Sequence, residues 1–89
     1  MTIAYGWSSG TVASIPANTR STLIDVYPPA MEGYTPILGL PSCWNGGILT
    51  AIYSWFNGGN TPIRFVLQNE YDYAQTDVSW GVRWLYVKD

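Results

Sequence analysis

A chain of 89 residues is short enough for one domain, and it combines 47% hydrophobic residues with only 11% charged residues. The formal net charge is -2, and the four basic side chains are scattered, which excludes the basic clusters that nucleic-acid binding requires. The chain has no histidine, so serine triads and most zinc sites are excluded or much weakened. We interpret residues 1–89 as a single domain whose apolar excess is partly covered in a homo-oligomer.

The N-terminal sequence, MTIAYGWSSG, has neither the basic segment nor the apolar run of a secretory signal. No segment approaches the roughly 20 apolar residues of a membrane span, and we expect no membrane insertion. Cys43 is the single cysteine and cannot form a disulfide within the chain, so the fold depends on packing.

The residues that favour strands and turns dominate this sequence, which predicts an all-β fold. Weak strand signals cover residues 2–6, 10–15 and 36–41. In the segment STLIDVYPP, alternation places Ile24 and Val26 on one face, and the two prolines that follow end the pairing.

Two later segments alternate more strongly between apolar and polar positions. In TPIRFVLQN, the inner face holds Ile63, Phe65 and Leu67, opposite Arg64, Val66 and Gln68. In GILTAIYSWFN, one face holds Ile48, Ile52 and Phe56, opposite Leu49, Ala51, Tyr53 and Trp55. The NGGN sequence that follows is typical of a hairpin turn.

The final segment, DVSWGVRWLYVKD, carries apolar groups on both faces. One face holds Val78, Trp80, Val82, Trp84 and Tyr86, and the other holds Ser79, Gly81, Arg83, Leu85 and Val87. Such a strand is either central in its sheet or covered by a neighbouring subunit. The candidate oligomer-interface residues are therefore Trp55, Arg83, Trp84, Leu85 and Tyr86. About six to eight antiparallel strands of this kind predict a small, jelly-roll-like β-sandwich.

Aromatic residues in the predicted loops are the candidates for ligand binding. Trp44 stands beside Asn45, and Tyr71 and Tyr73 flank Asp72 in NEYDYAQTDVSW, which we predict to be a hairpin loop. A flat apolar ring with amide or carboxylate groups nearby suits a saccharide, and it equally suits a protein partner. The alternative is that these rings only pack against the chain or a neighbouring subunit.

The carboxylates of the same segment could serve a glycosidase or bind calcium. Glu70, Asp72 and Asp77 are close in sequence, but an exposed turn lacks the enclosing groove of a glycosidase. No EF-hand spacing is present either. We therefore predict no enzymatic activity, no catalytic residue, no metal and no cofactor.

Four stretches of this chain together resemble a known group of domains. They are Ile24–Pro29, Gly33–Thr35, Ile63–Asn69 and Val78–Lys88. Over about residues 15 to 88, the sequence resembles the small C-terminal β-sandwich domains of phage and prophage tail-fibre, tail-tip and other virion adhesion proteins. These motifs are strand and turn patterns and include no catalytic signature.

The resemblance implies a trimeric head, located in the virion with other virion proteins, that contacts the host surface, usually a saccharide. Trp44, Trp55, Trp80 and Trp84 depart from the pattern, since smaller or aliphatic residues are expected there. This departure strengthens the interface interpretation and weakens the transfer of a sugar site. The alternatives are a purely structural virion protein, such as a fibre cap or capsid decoration protein, and a free lectin-like carbohydrate-binding module.

Overall fold

The computed structural model describes residues 2–44, 47–52 and 56–89. Within these residues the chain forms six strands and no helix, so the predicted all-β class is confirmed. The strands are β1 (Ile3–Ile15), β2 (Ile24–Val26), β3 (Tyr34–Cys43), β4 (Ile48–Ile52), β5 (Ile63–Asn69) and β6 (Gln75–Lys88).

The strands form two three-stranded antiparallel sheets, which we call sheet A (order β1-β6-β3) and sheet B (order β2-β5-β4). The first strand pairs with the last and the second with the fifth, which is a jelly-roll-like arrangement. The molecule is elongated, with extents of 47 × 19 × 18 Å. Its length follows from β6, because 14 extended residues span about 46 Å.

The core lies between the two sheets, and the predicted inner faces of the two main strands are confirmed. Its buried side chains from these strands are Ile63, Phe65 and Leu67 of β5 and Val78, Val82, Trp84 and Tyr86 of β6. Trp80 packs against this core from β6, with its ring centroid 5.5 Å from that of Phe65. The two-sided apolar pattern of β6 has its explanation in the position of this strand at the centre of sheet A.

The large rings of β6 fit inside the sandwich because glycines face them on the neighbouring strands. Gly10 of β1 is the register partner of Trp80, and Gly39 of β3 is the partner of Trp84. A Cβ atom on Gly10 would lie 2.3 Å from the Trp80 ring, and one on Gly39 would lie 2.6 Å from the Trp84 ring. No residue with a side chain could take either place unless the ring moved.

Trp84 and Tyr86 were predicted at an oligomer interface, and the structure corrects this prediction. Both side chains are buried within the chain itself. The Trp84 indole N–H donates to Ser8 Oγ at 3.0 Å, and the Tyr86 hydroxyl donates to the Pro29 carbonyl at 2.7 Å. Burial raises the pKa of the Tyr86 hydroxyl. The alternation pattern correctly indicated burial, but the two sheets of one chain provide it.

Three details of the strand predictions are wrong. Val66 was placed outside with Arg64 and Gln68, but it is buried, whereas Arg64 on the same face is exposed. The separate strands at residues 2–6 and 10–15 are one strand, β1, whose residues pair without interruption through the SSG sequence. Residues 70–74 do not form a hairpin between paired strands, because β5 and β6 belong to different sheets. This segment crosses from sheet B to sheet A.

The beginning of β6 contains a residue with left-handed backbone conformation. Asp77 has a φ of 50°, which aspartate tolerates better than a β-branched residue does. The alternation of buried and exposed residues along β1 breaks near this point. Ile15 is buried, although strict alternation along β1 would expose it, while Val78 on β6 faces the core as expected. We infer that the Asp77 backbone lets this end of the β1–β6 pair turn Ile15 inward.

Replacing Trp84 with alanine tests the packing of the core. We expect Trp84→Ala to lower the free energy of unfolding by about 3 to 5 kcal/mol, because it removes a large buried ring between two sheets. Urea denaturation followed by circular dichroism measures this change. Leu49→Ala is the control: Leu49 is exposed on β4, and its loss should change stability by no more than about 0.5 kcal/mol. A neutral Trp84→Ala variant would contradict the position of this ring.

Candidate binding surface

The outer face of sheet A exposes large apolar side chains from all three strands. The pairing registers align them in rows across the sheet. They are Ile3, Tyr5 and Trp7 on β1, Leu38 and Leu40 on β3, and Leu85 and Val87 on β6. An exposed apolar surface of this kind marks a contact site more often than an ordinary solvated face.

Two tryptophans form the most distinctive part of this surface, and we call Trp7 and Trp44 the tryptophan platform. Their ring centroids are 5.6 Å apart, with an interplanar angle of 44°. Both rings lie over Gly81 at the centre of the sheet, where a Cβ atom would lie 2.3 Å from Trp7 and 3.0 Å from Trp44. Trp7 is 43% exposed and Trp44 is 60% exposed, so the platform is accessible from solvent.

Arg83 adds a charge beside the platform. Its guanidinium carbon lies 5.5 Å from the Trp7 ring centroid, within the range of a cation–π interaction. Tyr5, Gly6, Trp7 and Arg83 line a cavity of about 350 Å³. Ser9 and Ser42 flank Gly81 in the register of the sheet. Flat aromatic groups, a guanidinium and hydroxyl groups are therefore combined on one face.

The structure places the residues that were predicted from the sequence in different positions. Trp44 is on the platform, and Arg83 and Leu85 lie on the same outer face. Asn45 and Trp55 lie outside the described residues. The sequence prediction missed Trp7, because the N-terminal strand was ended at residue 6. The alternation of large residues at positions 3, 5 and 7 was the signal that could have identified it.

The candidate residues of the crossing segment differ in exposure, although they were predicted to form one binding site. Tyr71 is half-buried, and its hydroxyl accepts a hydrogen bond from the Gly47 N–H at 3.0 Å. Asp72 and Tyr73 are exposed, and the Tyr73 ring centroid lies 5.3 Å from that of Tyr71. Tyr71 therefore holds Gly47 just before β4, while Asp72 and Tyr73 remain accessible.

Asn69 fixes the crossing segment from inside and was also missed. Its side chain is fully buried, and its Nδ2 group donates to the carbonyls of Ile15, Pro16 and Tyr73 at 3.0, 3.2 and 3.0 Å. Its Oδ1 atom accepts the Tyr71 N–H at 2.9 Å. One amide thus joins the end of β1 to the segment that carries Tyr71, and no alternation pattern reveals such a role.

The charged groups of sheet B lie away from the platform. Arg64 and Asp25 form a salt bridge of 2.7 Å on the outer face of that sheet, and the hydrogen bond from Arg64 lowers the pKa of Asp25. Among the described residues, no three cysteine or acidic side chains are grouped as metal ligands. In those same ranges, no helix is long and apolar enough to cross a membrane.

The cavity beside the platform has a tryptophan and an arginine that a larger groove lacks. A groove of about 700 Å³ is lined by the segment around Pro28, Pro29 and Met31 together with Gly59 and Asn60, but its lining includes no tryptophan and no arginine. Comparisons with protein-family models, with curated proteins and with solved structures find no match to this chain.

Asn69 gives a test of how the crossing segment is held. We expect Asn69→Ala to cost about 2 kcal/mol or more, because it leaves the buried Ile15 carbonyl and the part-buried Tyr73 carbonyl without this donor. Asn69→Asp should be worse at neutral pH despite its equal size, since a carboxylate would face three carbonyl oxygens. Thermal unfolding measures both variants. Equal stability of Asn69→Asp and the wild type would contradict the hydrogen-bond assignment.

Proposed function

We propose that this chain is a non-enzymatic adhesion module of a phage virion, a tail or fibre head, that binds a host-surface saccharide on the tryptophan platform. The observation that carries the proposal is the exposed pair of Trp7 and Trp44 over Gly81, with Arg83 beside Trp7. The sequence resemblance supports the virion context, and the geometry of the platform supports this location for the binding site.

The platform suits the chemistry of a sugar ring. The C–H face of a pyranose stacks on indole, while the hydroxyls at its edge need hydrogen-bond partners. Arg83 provides N–H donors on the same face, and the hydroxyls of Ser9 and Ser42 are available in the row of Gly81. An acidic saccharide would also gain from the positive charge of Arg83.

A second candidate is the purely structural virion protein, and an adjoining part of the same face favours it. Ile3, Tyr5, Leu38, Leu40 and Leu85, together with Arg83, border a mostly apolar cavity of about 270 Å³. Apolar side chains in such a concave patch suit a protein neighbour better than a saccharide. The two candidates differ in the side chains they depend on: the saccharide site needs Trp44, which does not line this cavity.

Replacing Trp44 with alanine tests the saccharide site. We expect the wild type to bind polysaccharide from the host envelope on a glycan array, and Trp44→Ala to bind at least about tenfold more weakly, since it removes one of two stacking rings. The melting temperature should stay nearly unchanged because Trp44 is largely exposed. Isothermal titration with the best array ligand measures the affinity.

Tyr27→Ala is the matched control for Trp44→Ala. Tyr27 is another exposed aromatic residue, but it follows β2 of sheet B. Its replacement should leave saccharide affinity unchanged. Equal losses in the two variants, or an array without any ligand, would favour the structural candidate over the adhesion module.

The non-enzymatic part of the proposal has its own test. We expect the purified chain to release no reducing ends from host cell-wall or surface polysaccharide over a prolonged incubation, because the acidic residues Glu70 and Asp72 lie exposed on the crossing segment. A colorimetric assay for reducing sugars measures the release. Activity that disappears in Glu70→Gln or Asp72→Asn would make the chain a glycosidase.

A further inference from the structure

Within the described ranges, the outer edge of β1 from Tyr5 to Ala13 is not paired with another strand. The Lys88 N–H donates to the Thr2 carbonyl at 2.9 Å, and the pairing of β1 with β6 keeps one register from Ile3↔Val87 to Ile15↔Gln75, interrupted at Ala13 and Asp77. In an antiparallel ladder, residue pairs that exchange hydrogen bonds alternate with pairs whose N–H and C=O groups point away from the partner strand. Even-numbered residues of β1 therefore bond to β6, and the odd-numbered residues turn their N–H and C=O groups to the outer edge.

The other edge of sheet A is protected. The Asp89 N–H donates to the Gly33 carbonyl at 2.9 Å, so the odd-numbered residues of β6 bond to β3. The β3 residues paired with even-numbered β6 residues then turn their backbone groups to the outer edge of the sheet. They include Pro36, opposite Tyr86, and Pro41, opposite Val82. Both outward positions lack an N–H group, and a bulge follows Pro36. Prolines and bulges of this kind prevent the addition of another strand.

The β1 strand has none of these protective features. Its 13 residues, IAYGWSSGTVASI, include no proline and no charged side chain. Within the ranges that the structure describes, β6 is the strand that pairs with it, and the register contains no bulge. A long, uncharged edge strand is a ready template for strand addition.

We propose that the β1 edge pairs with the β1 edge of a second copy of this chain, antiparallel and related by a two-fold axis at Ser9. This register places Trp7 opposite Thr11 of the second copy and Tyr5 opposite Ala13. Large side chains thus meet small ones on the outer face, and the serines meet at the axis. Registers centred on Trp7 or on Tyr5 would instead set two large aromatic residues directly opposite each other.

The contact would supply as many hydrogen bonds as an ordinary specific interface. Pairing from Tyr5 to Ala13 makes five hydrogen-bonded residue pairs, which is about ten backbone hydrogen bonds and similar to the number in an ordinary protein interface. The two copies of sheet A would become one sheet of six strands. Their two tryptophan platforms would lie on the same side of that sheet, as a bivalent surface.

The inference stands independently of the proposed saccharide binding. It needs only the β1 strand, and it would hold if the platform bound no sugar. It also differs from the trimer that the sequence resemblance implies, because a two-fold pairing of β1 edges closes at two copies.

Sedimentation of the full chain tests the proposal. We expect a dimer at micromolar concentration and at least about tenfold weaker association in Ser9→Pro, because the ring removes an outward N–H at the axis while proline is tolerated at such an edge position. Circular dichroism confirms that this variant is folded. Thr11→Lys, which adds a charge to the edge, should weaken the dimer in the same way and decides the question if Ser9→Pro fails to fold.

Thr22→Lys is the matched control for Thr11→Lys. Thr22 is exposed in the connection before β2, so the same substitution there should leave the dimer unchanged. A wild-type monomer or trimer, or a folded edge variant that keeps the full dimer, would overturn the proposal. Equal weakening by Thr22→Lys would also overturn it, since a general charge effect would then explain the result.

A cross-link tests the register. In a Cys43→Ser background, Ser9→Cys should form an intermolecular disulfide under mild oxidation, because the Cα atoms of facing residues in such a pair are about 5.5 Å apart and a disulfide accepts this distance. Ser42→Cys in the same background, on the outer face of β3, should not. Non-reducing electrophoresis measures the yield. Rapid cross-linking at Ser42 and none at Ser9 would reject the β1 pairing.

Discussion

The steric fit between the aromatic rings of β6 and the glycines that face them determines how the sandwich is built. Trp80 and Trp84 reach over Gly10 and Gly39, and each ring occupies the space that a side chain on the neighbouring strand would need. The inner face of sheet A is thus filled mostly by one strand. A chain of 89 residues can bury a core in this way with two sheets of three strands each.

A ring also packs over a glycine on the outer face, but the strands exchange roles. There β6 provides the glycine, Gly81, and the rings come from Trp7 of β1 and Trp44 after β3. Because Gly81 lies on the central strand, the platform stands on the best-supported backbone of the sheet. The exposed rings therefore have a fixed place without a core of their own, which is the property that a stacking surface needs.

The period of two in a strand explains which parts of this structure could be predicted from the sequence. It gave the inner faces of β5 and β6 correctly, because side chains alternate whatever the partner strand is. It did not show that Trp84 is covered by sheet B of its own chain, nor that Val66 is sheltered, since both depend on neighbours. NEYDYAQ has the composition of a turn, and a turn between sheets has the same local chemistry as a hairpin. Asn69 was missed because its partners are backbone carbonyls far away in sequence.

The outer face of sheet A and its β1 edge are formed by the same residues of β1. Tyr5, Trp7 and Ser9 direct their side chains to the outer face and their backbone groups to the outer edge. A partner strand added at this edge would lie beside Trp7, so pairing and platform are coupled in position. They remain separable in chemistry: a change of side chain alters the face but keeps the backbone donors, whereas proline at Ser9 removes a donor and leaves both tryptophans in place. The prolines of β3 show the result of that second kind of change, since they occupy the matching outward positions and protect the other edge of the same sheet.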